Sequence, residues 1–128
     1  METERETITS LDGIHRLLAY GTVAVTVAGI GWSLLLVIAG RAGGPAFERF
    51  QAAAVSVLIV GAASGLVLLA TGARPAEGLH LLYASVSIAL IPLTRSFLGR
   101  ANARAAGALL VAAFVVLGGI VYRLFTTG

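Results

Sequence analysis

Four long segments without Asp, Glu, Lys or Arg restrict the fold of this chain more than any other feature. They cover residues 17–40, 50–73, 78–94 and 105–122. A helix of about 20 apolar residues crosses the roughly 30 Å hydrocarbon core of a bilayer, so each segment is a candidate membrane span. Hydrophobic residues make up 58% of the chain, above the about 45–50% that is usual in soluble domains. The sequence therefore predicts a single integral membrane domain over residues 1–128.

Glycine and proline residues divide these segments into helices. The stretches AGRAGGP (39–45), TGARP (71–75) and GRANARAAG (99–107) separate them, because glycine ends helices and proline starts them. Short connections make successive helices antiparallel neighbours. We predict an all-α fold, a transmembrane four-helix up-down bundle, with helices near 10–40, 45–72, 76–98 and 104–125. Ser10 is the expected N-cap of the first helix, and Pro92 is expected to bend the third.

The nine basic residues are all arginine, and they indicate how the bundle lies in the membrane. The loops after the first and third helices hold Arg41, Arg49, Arg95, Arg100 and Arg104, whereas the opposite side holds Arg5, Arg16, Arg74 and Arg123. Because loops rich in arginine stay in the cytoplasm, both termini are predicted to lie outside it. The arginines form no continuous stripe, so a nucleic-acid partner is not expected.

One short sequence motif occurs twice in the chain. LDGIHRLLAY begins at Leu11 and AEGLHLLYAS begins at Ala76, and these two stretches hold the only two histidines, His15 and His80. The match continues through GIHRLLAYGTVAV and GLHLLYASVSIAL, and SGLVLLATG aligns weakly with GGIVYRLFTTG. The pattern predicts two helical hairpins related by a rough two-fold axis along the membrane normal, which is the parallel type of repeat. That axis would turn the two histidines towards each other at similar depth.

Two facing imidazoles suit low-spin haem, which takes one on each face of its iron. The first and third helices lie on a diagonal of such a bundle, and small residues such as Gly13 and Gly78 would leave space for the ring. Arg16 and Arg74 could pair with the haem carboxylates, because guanidinium groups bind carboxylates through two hydrogen bonds. Two other interpretations stay open here. The histidines could be hydrogen-bonded packing residues, or they could form a non-haem metal or proton site.

Acidic residues precede both histidines by three positions, and these are Asp12 and Glu77. Each acid therefore shares a helix face with its imidazole, as in di-iron bundles that use two Glu-x-x-His pairs. Those centres also need a carboxylate from each remaining helix. The second helix offers only Glu48, at the opposite membrane face, and the fourth offers none. A di-iron centre is therefore not expected, and no catalytic residue is assigned.

The string Asp12-Gly13-Ile14-His15-Arg16-Leu17-Leu18-Ala19-Tyr20 resembles the acid-x-x-His-Arg motif of the haem A synthase family. In that family the second helix after the motif supplies an opposing histidine, and Glu77-Gly78-Leu79-His80-Leu81 falls at that place. The resemblance implies that His15 and His80 are axial haem ligands on the outer side of the membrane. Full-length members have two four-helix halves, with a helix before each His-Arg helix. The resemblance therefore supports haem binding better than it supports haem A synthesis.

These observations predict a small haem-binding membrane protein with b-type haem, similar to a bis-histidine cytochrome, for electron transfer or haem handling. The alternative is a non-catalytic accessory subunit of a larger respiratory or photosynthetic complex. The expected partners are the lipid bilayer and either a second copy of the chain or a larger membrane complex. The expected location is the cell membrane of a bacterium or archaeon.

Overall fold

The computed structural model of the chain consists of four helices joined by short connections. They are α1 (Glu2–Ile38), α2 (Pro45–Ala70), α3 (Leu79–Leu98) and α4 (Ala103–Thr127). The structure describes residues 1–41 and 43–128, with every side chain of these except that of Glu4, and this part of the chain contains no strand. All four helices are long and apolar enough to cross a membrane. The predicted all-α transmembrane bundle is confirmed.

The helices follow one another around the bundle in chain order. α1 packs against α2 and α4, and α3 packs closely against α4 and more lightly against α2. Within the described residues α1 and α3 make no close approach, so they lie on one diagonal of the bundle. Successive helices are therefore antiparallel neighbours, as the short connections predicted.

The ends of the helices differ from the sequence predictions by a few residues, and α1 differs most. It begins at Glu2 instead of near residue 10. The hydroxyl of Ser10 donates to the carbonyl of Glu6 at 2.9 Å, which is a bond made inside a helix, so the prediction that Ser10 is the N-cap is wrong. Pro45 starts α2, as the sequence predicted. The side chain of Asn102 caps α4 by accepting from the N–H of Ala105.

Aromatic side chains fill the half of the bundle next to the α1–α2 and α3–α4 connections. Trp32 lies against Phe47 with ring centroids 5.2 Å apart, and Phe50 and Phe114 complete the cluster. Phe47 and Phe114 are fully buried. Aromatic rings in such tilted contacts stabilise a core beyond the area that they bury. This half of the molecule therefore contains a packed aromatic core.

Candidate functional site

A cavity of about 480 Å³ lies in the half of the bundle that contains the chain termini. All four helices line it, together with residues 73–75 of the α2–α3 connection. Its volume falls in the roughly 300–1,000 Å³ range of small-molecule sites. His15 and His80 both line this one cavity. The structure therefore brings the two histidines of the repeated motif together at one cavity.

His15 lies on α1 and is half-buried against α2. Its Nδ1 lies 2.9 Å from Oγ of Ser64. A Cβ built on Gly65 would lie 3.2 Å from Cε1 of His15, so the ring packs directly on the bare backbone of α2. Leu18, one turn further along α1, faces Gly61 in the same way. The small residues of α2 therefore let the imidazole lie between the two helices of the first hairpin.

His80 lies in the first turn of α3 and has an equivalent environment in the second hairpin. Its Nδ1 lies 3.3 Å from Oγ1 of Thr127, which is fully buried. A Cβ built on Gly128 would lie 2.9 Å from Cε1 of His80. The N–H of Glu77 donates to the carbonyl of Thr127 at 3.0 Å, and this bond ties the start of α3 to the end of α4. Each hairpin therefore holds one imidazole between a hydroxyl group and a glycine.

The two imidazoles lie at similar depth. Tyr20 of α1 packs against Phe125 of α4, with ring centroids 5.9 Å apart. Because α1 and α4 are antiparallel, Thr127 lies level with about residue 18 of α1. His80 contacts Thr127, so it falls within about one helical turn, ~5 Å, of the depth of His15. Two histidines on diagonal helices thus reach the cavity at nearly the same level.

The acidic residues before the histidines pair with arginines and not with the imidazoles. Asp12 lies 3.9 Å from Arg16, and Glu77 lies 3.8 Å from Arg123. Arg123 also lies over the ring of Tyr83, 5.7 Å from its centroid. All four charged side chains are about half exposed or more, and such ion pairs contribute only about 0–1 kcal/mol. The side chain nearest Nδ1 in each hairpin carries a hydroxyl group, that of Ser64 at His15 and that of Thr127 at His80.

The other predicted site residues divide into two groups. Arg16 and Arg74 are exposed and line the cavity. Gly13 and Gly78 do not line it, and a Cβ on either residue would meet nothing within 4 Å. Each of these glycines precedes its histidine by two positions, and residues two apart face different sides of a helix. The space beside the imidazoles comes from Gly65 and Gly128 instead.

Sequence reasoning did not assign Ser64 or Thr127 as partners of the histidines. The signal was a Ser-Gly or Thr-Gly pair that follows each histidine by nearly the same distance, Ser64-Gly65 after His15 and Thr127-Gly128 after His80. The weak alignment of SGLVLLATG with GGIVYRLFTTG does not pair Ser64-Gly65 with Thr127-Gly128. The contacts of the imidazoles give the correct register.

Besides the two imidazoles, the carboxylate of Asp12 also lines this cavity. Within the described part of the chain, no three His, Cys, Asp or Glu residues come together to hold a metal ion. Both histidines face the same cavity, and two exposed guanidinium groups lie along its lining. No protein-family model, curated protein or solved structure matches this chain.

Proposed function

We propose that this chain is a small integral membrane haem-binding protein, in which His15 and His80 bind one haem iron from opposite faces. The observation that carries the proposal is the placement of two imidazoles, from diagonal helices and at similar depth, on one cavity. The resemblance of the Asp12–Tyr20 string to the haem A synthase motif points to the same two residues.

The residues around the cavity fit a haem. A porphyrin supplies four nitrogen ligands, so two imidazoles complete a six-coordinate iron. Gly61, Gly65 and Ala84 line the cavity and present little side-chain bulk to a flat ring. Arg16 and Arg74 are exposed along the lining, where guanidinium groups can bind carboxylates that point out of the membrane. Haem that is held by two imidazoles gains and loses single electrons reversibly.

The chain itself would contribute binding, orientation and a low dielectric. These contributions suit a b-type cytochrome-like protein that transfers electrons or holds haem for another protein. Haem modification is a narrower version, and it rests on the resemblance alone. Asp12 and Glu77 pair with arginines, and neither is assigned a role in haem chemistry.

The test is the absorption spectrum of the detergent-purified protein, recorded oxidised and then reduced. Two strong-field imidazole ligands should give low-spin iron with sharp reduced bands, at one haem per chain. His15→Ala and His80→Ala should each abolish the low-spin spectrum, because each removes one axial ligand. Asp12→Asn should retain it, since the Asp12 carboxylate contacts Arg16 and no imidazole, and this variant is the matched control.

A different result would contradict the haem proposal. If the wild type takes up no haem when expressed with excess haem, and both histidine variants fold and insert normally, the proposal is wrong. The alternative from the sequence, a non-catalytic accessory subunit of a larger membrane complex, would then be the function to pursue.

A further inference from the structure

Each imidazole is bonded through Nδ1 to a hydroxyl group that is itself a donor to its own helix. Ser64 donates to the carbonyl of Gly61 at 2.7 Å, and Thr127 donates to the carbonyl of Arg123 at 2.8 Å. A hydroxyl group has one proton. When that proton goes to the carbonyl, the hydroxyl oxygen is left to accept from the ring. This arrangement favours the tautomer of both histidines that carries the ring proton on Nδ1.

We propose that Ser64 and Thr127 are positioning residues that hold His15 and His80 with the proton on Nδ1 and the lone pair on Nε2. A neutral imidazole binds a metal through its unprotonated nitrogen, and the bond at the other nitrogen selects which one that is. The inference rests on the proposed function, because it makes Nε2 of each ring the iron ligand. It assigns to two hydroxyl groups the role that carboxylates or carbonyls fill in many metal sites.

The same arrangement occurs in both hairpins, which separates it from a chance contact. Ser64 and Gly65 on α2 flank His15, and Thr127 and Gly128 flank His80. The two bonds are not equal. The Nδ1–Oγ distance is 2.9 Å at His15 and 3.3 Å at His80, and the second lies just beyond the usual range for such bonds. We therefore expect Ser64 to hold its imidazole more firmly than Thr127 does.

The first experiment needs no haem. The chain has two histidines, so protein labelled with ¹⁵N-histidine gives only four ring signals, and ¹⁵N chemical shifts report which nitrogen carries the proton. At about pH 8.5, where histidine is neutral, both rings of the wild type should be protonated on Nδ1. Ser64→Ala should convert His15 to a mixture or to the Nε2–H form, and Thr127→Val should do the same at His80. Ser64→Thr and Thr127→Ser should restore the wild-type pattern.

The chain offers a matched control for each variant. Ser56 is an exposed serine on α2 that donates to the carbonyl of Ala52 and touches no histidine. Thr126 donates to the carbonyl of Arg123, the acceptor that Thr127 also uses, and is exposed. Ser56→Ala and Thr126→Val should leave all four ring signals in place. Nε2–H rings in the wild type, or an unchanged His15 in Ser64→Ala, would overturn the inference.

The second readout uses protein loaded with haem. An N–H bond to an acceptor makes an imidazole a stronger electron donor, so losing it should make the midpoint potential of the haem more positive. Loss of such a partner typically weakens metal binding about 10–100-fold, and we expect at least tenfold weaker haem binding for Ser64→Ala. A wild type that binds no haem would contradict the proposed function but not the tautomer result. A wild type that binds haem, with an unchanged potential and affinity in Ser64→Ala, would contradict this inference alone.

Discussion

At the scale of single residues, Gly65 controls how closely α2 approaches His15. Its missing side chain allows Cε1 of the imidazole to lie 3.2 Å from where a Cβ would stand. A methyl group there would move the ring by a few tenths of an ångström, away from the hydroxyl of Ser64. Gly21 on α1 does not line the cavity, and a Cβ there would make only an ordinary contact of 3.7 Å with Cγ1 of Val57.

We therefore expect Gly65→Ala to weaken haem binding and Gly21→Ala to leave it unchanged. Both substitutions raise helix propensity by up to about 1 kcal/mol, so this gain cancels in the comparison. The displaced imidazole should lower haem affinity about tenfold, measured by titrating each purified variant with haem. Equal affinities in the two variants would show that Gly65 does not set the position of His15.

His15 and His80 could be predicted from the sequence, whereas their partners could not. The histidines lie in a short motif that occurs twice in the sequence, and their depth follows from counting residues along a helix. Ser64 and Thr127 lie on other helices, and their contacts depend on the vertical register of two packed helices. A shift of one turn would place Gly61 or Leu68 opposite His15 instead. Register is set by side-chain packing along the whole interface, and no local pattern records it.

At the scale of the helices, α1 and α4 pack closely because glycines face large side chains across their interface. A Cβ on Gly29 would overlap the ring of Phe114, which is fully buried, and a Cβ on Gly107 would lie 2.7 Å from Cγ2 of Val37. Small residues allow such close packing of helices in membranes. Gly31, two residues beyond Gly29 on α1, faces open space.

Gly29→Ala should accordingly destabilise the bundle, whereas Gly31→Ala should not. Overpacking of a filled core typically costs about 1–3 kcal/mol, so Gly29→Ala should lower the free energy of unfolding by about that amount. Gly31→Ala gains helix propensity without a new contact, and should be neutral or more stable by up to about 1 kcal/mol. Unfolding in detergent, followed by circular dichroism, measures the difference. Similar stabilities would mean that Phe114 can move without loss.

The helices themselves were predictable, but their ends were less so. The length of the segments without charged residues identified all four spans, because a bilayer requires about 20 apolar residues of any type. The start of α1 was missed by eight residues, since serine and threonine suit both caps and helix interiors. Thr7, Thr9 and Ser10 all donate to carbonyls four residues earlier. Their hydroxyl groups satisfy bonds within the helix and so do not end it.

At the scale of the whole molecule, an even number of spans places both termini on one side of the membrane. The cavity lies on that side, near the α2–α3 connection, and the aromatic core lies towards the other. The sequence predicted that both histidines share this side. It did not predict the aromatic core in the other half, because the aromatic residues come from three different helices.

The distribution of arginine predicts that this shared side faces away from the cytoplasm. A reporter fused through a flexible linker to Gly128 should therefore be active outside the cytoplasm, and so should one at the N-terminus. A reporter inserted between Gly99 and Asn102 should show the opposite location, and it is the internal control. Cytoplasmic activity at both termini would reverse the orientation while leaving the cavity and its histidines as described.

Each hairpin supplies one imidazole, one hydroxyl group and one glycine, so a complete site requires two hairpins to meet. In this chain a connection of eight residues, 71–78, joins them. A short covalent link gives the second partner an effective concentration in about the millimolar range. A separate hairpin would have to find a second copy by diffusion, and its site would come apart on dilution in the bilayer. Because both hairpins belong to one chain, assembly of the site does not depend on how much protein the membrane holds.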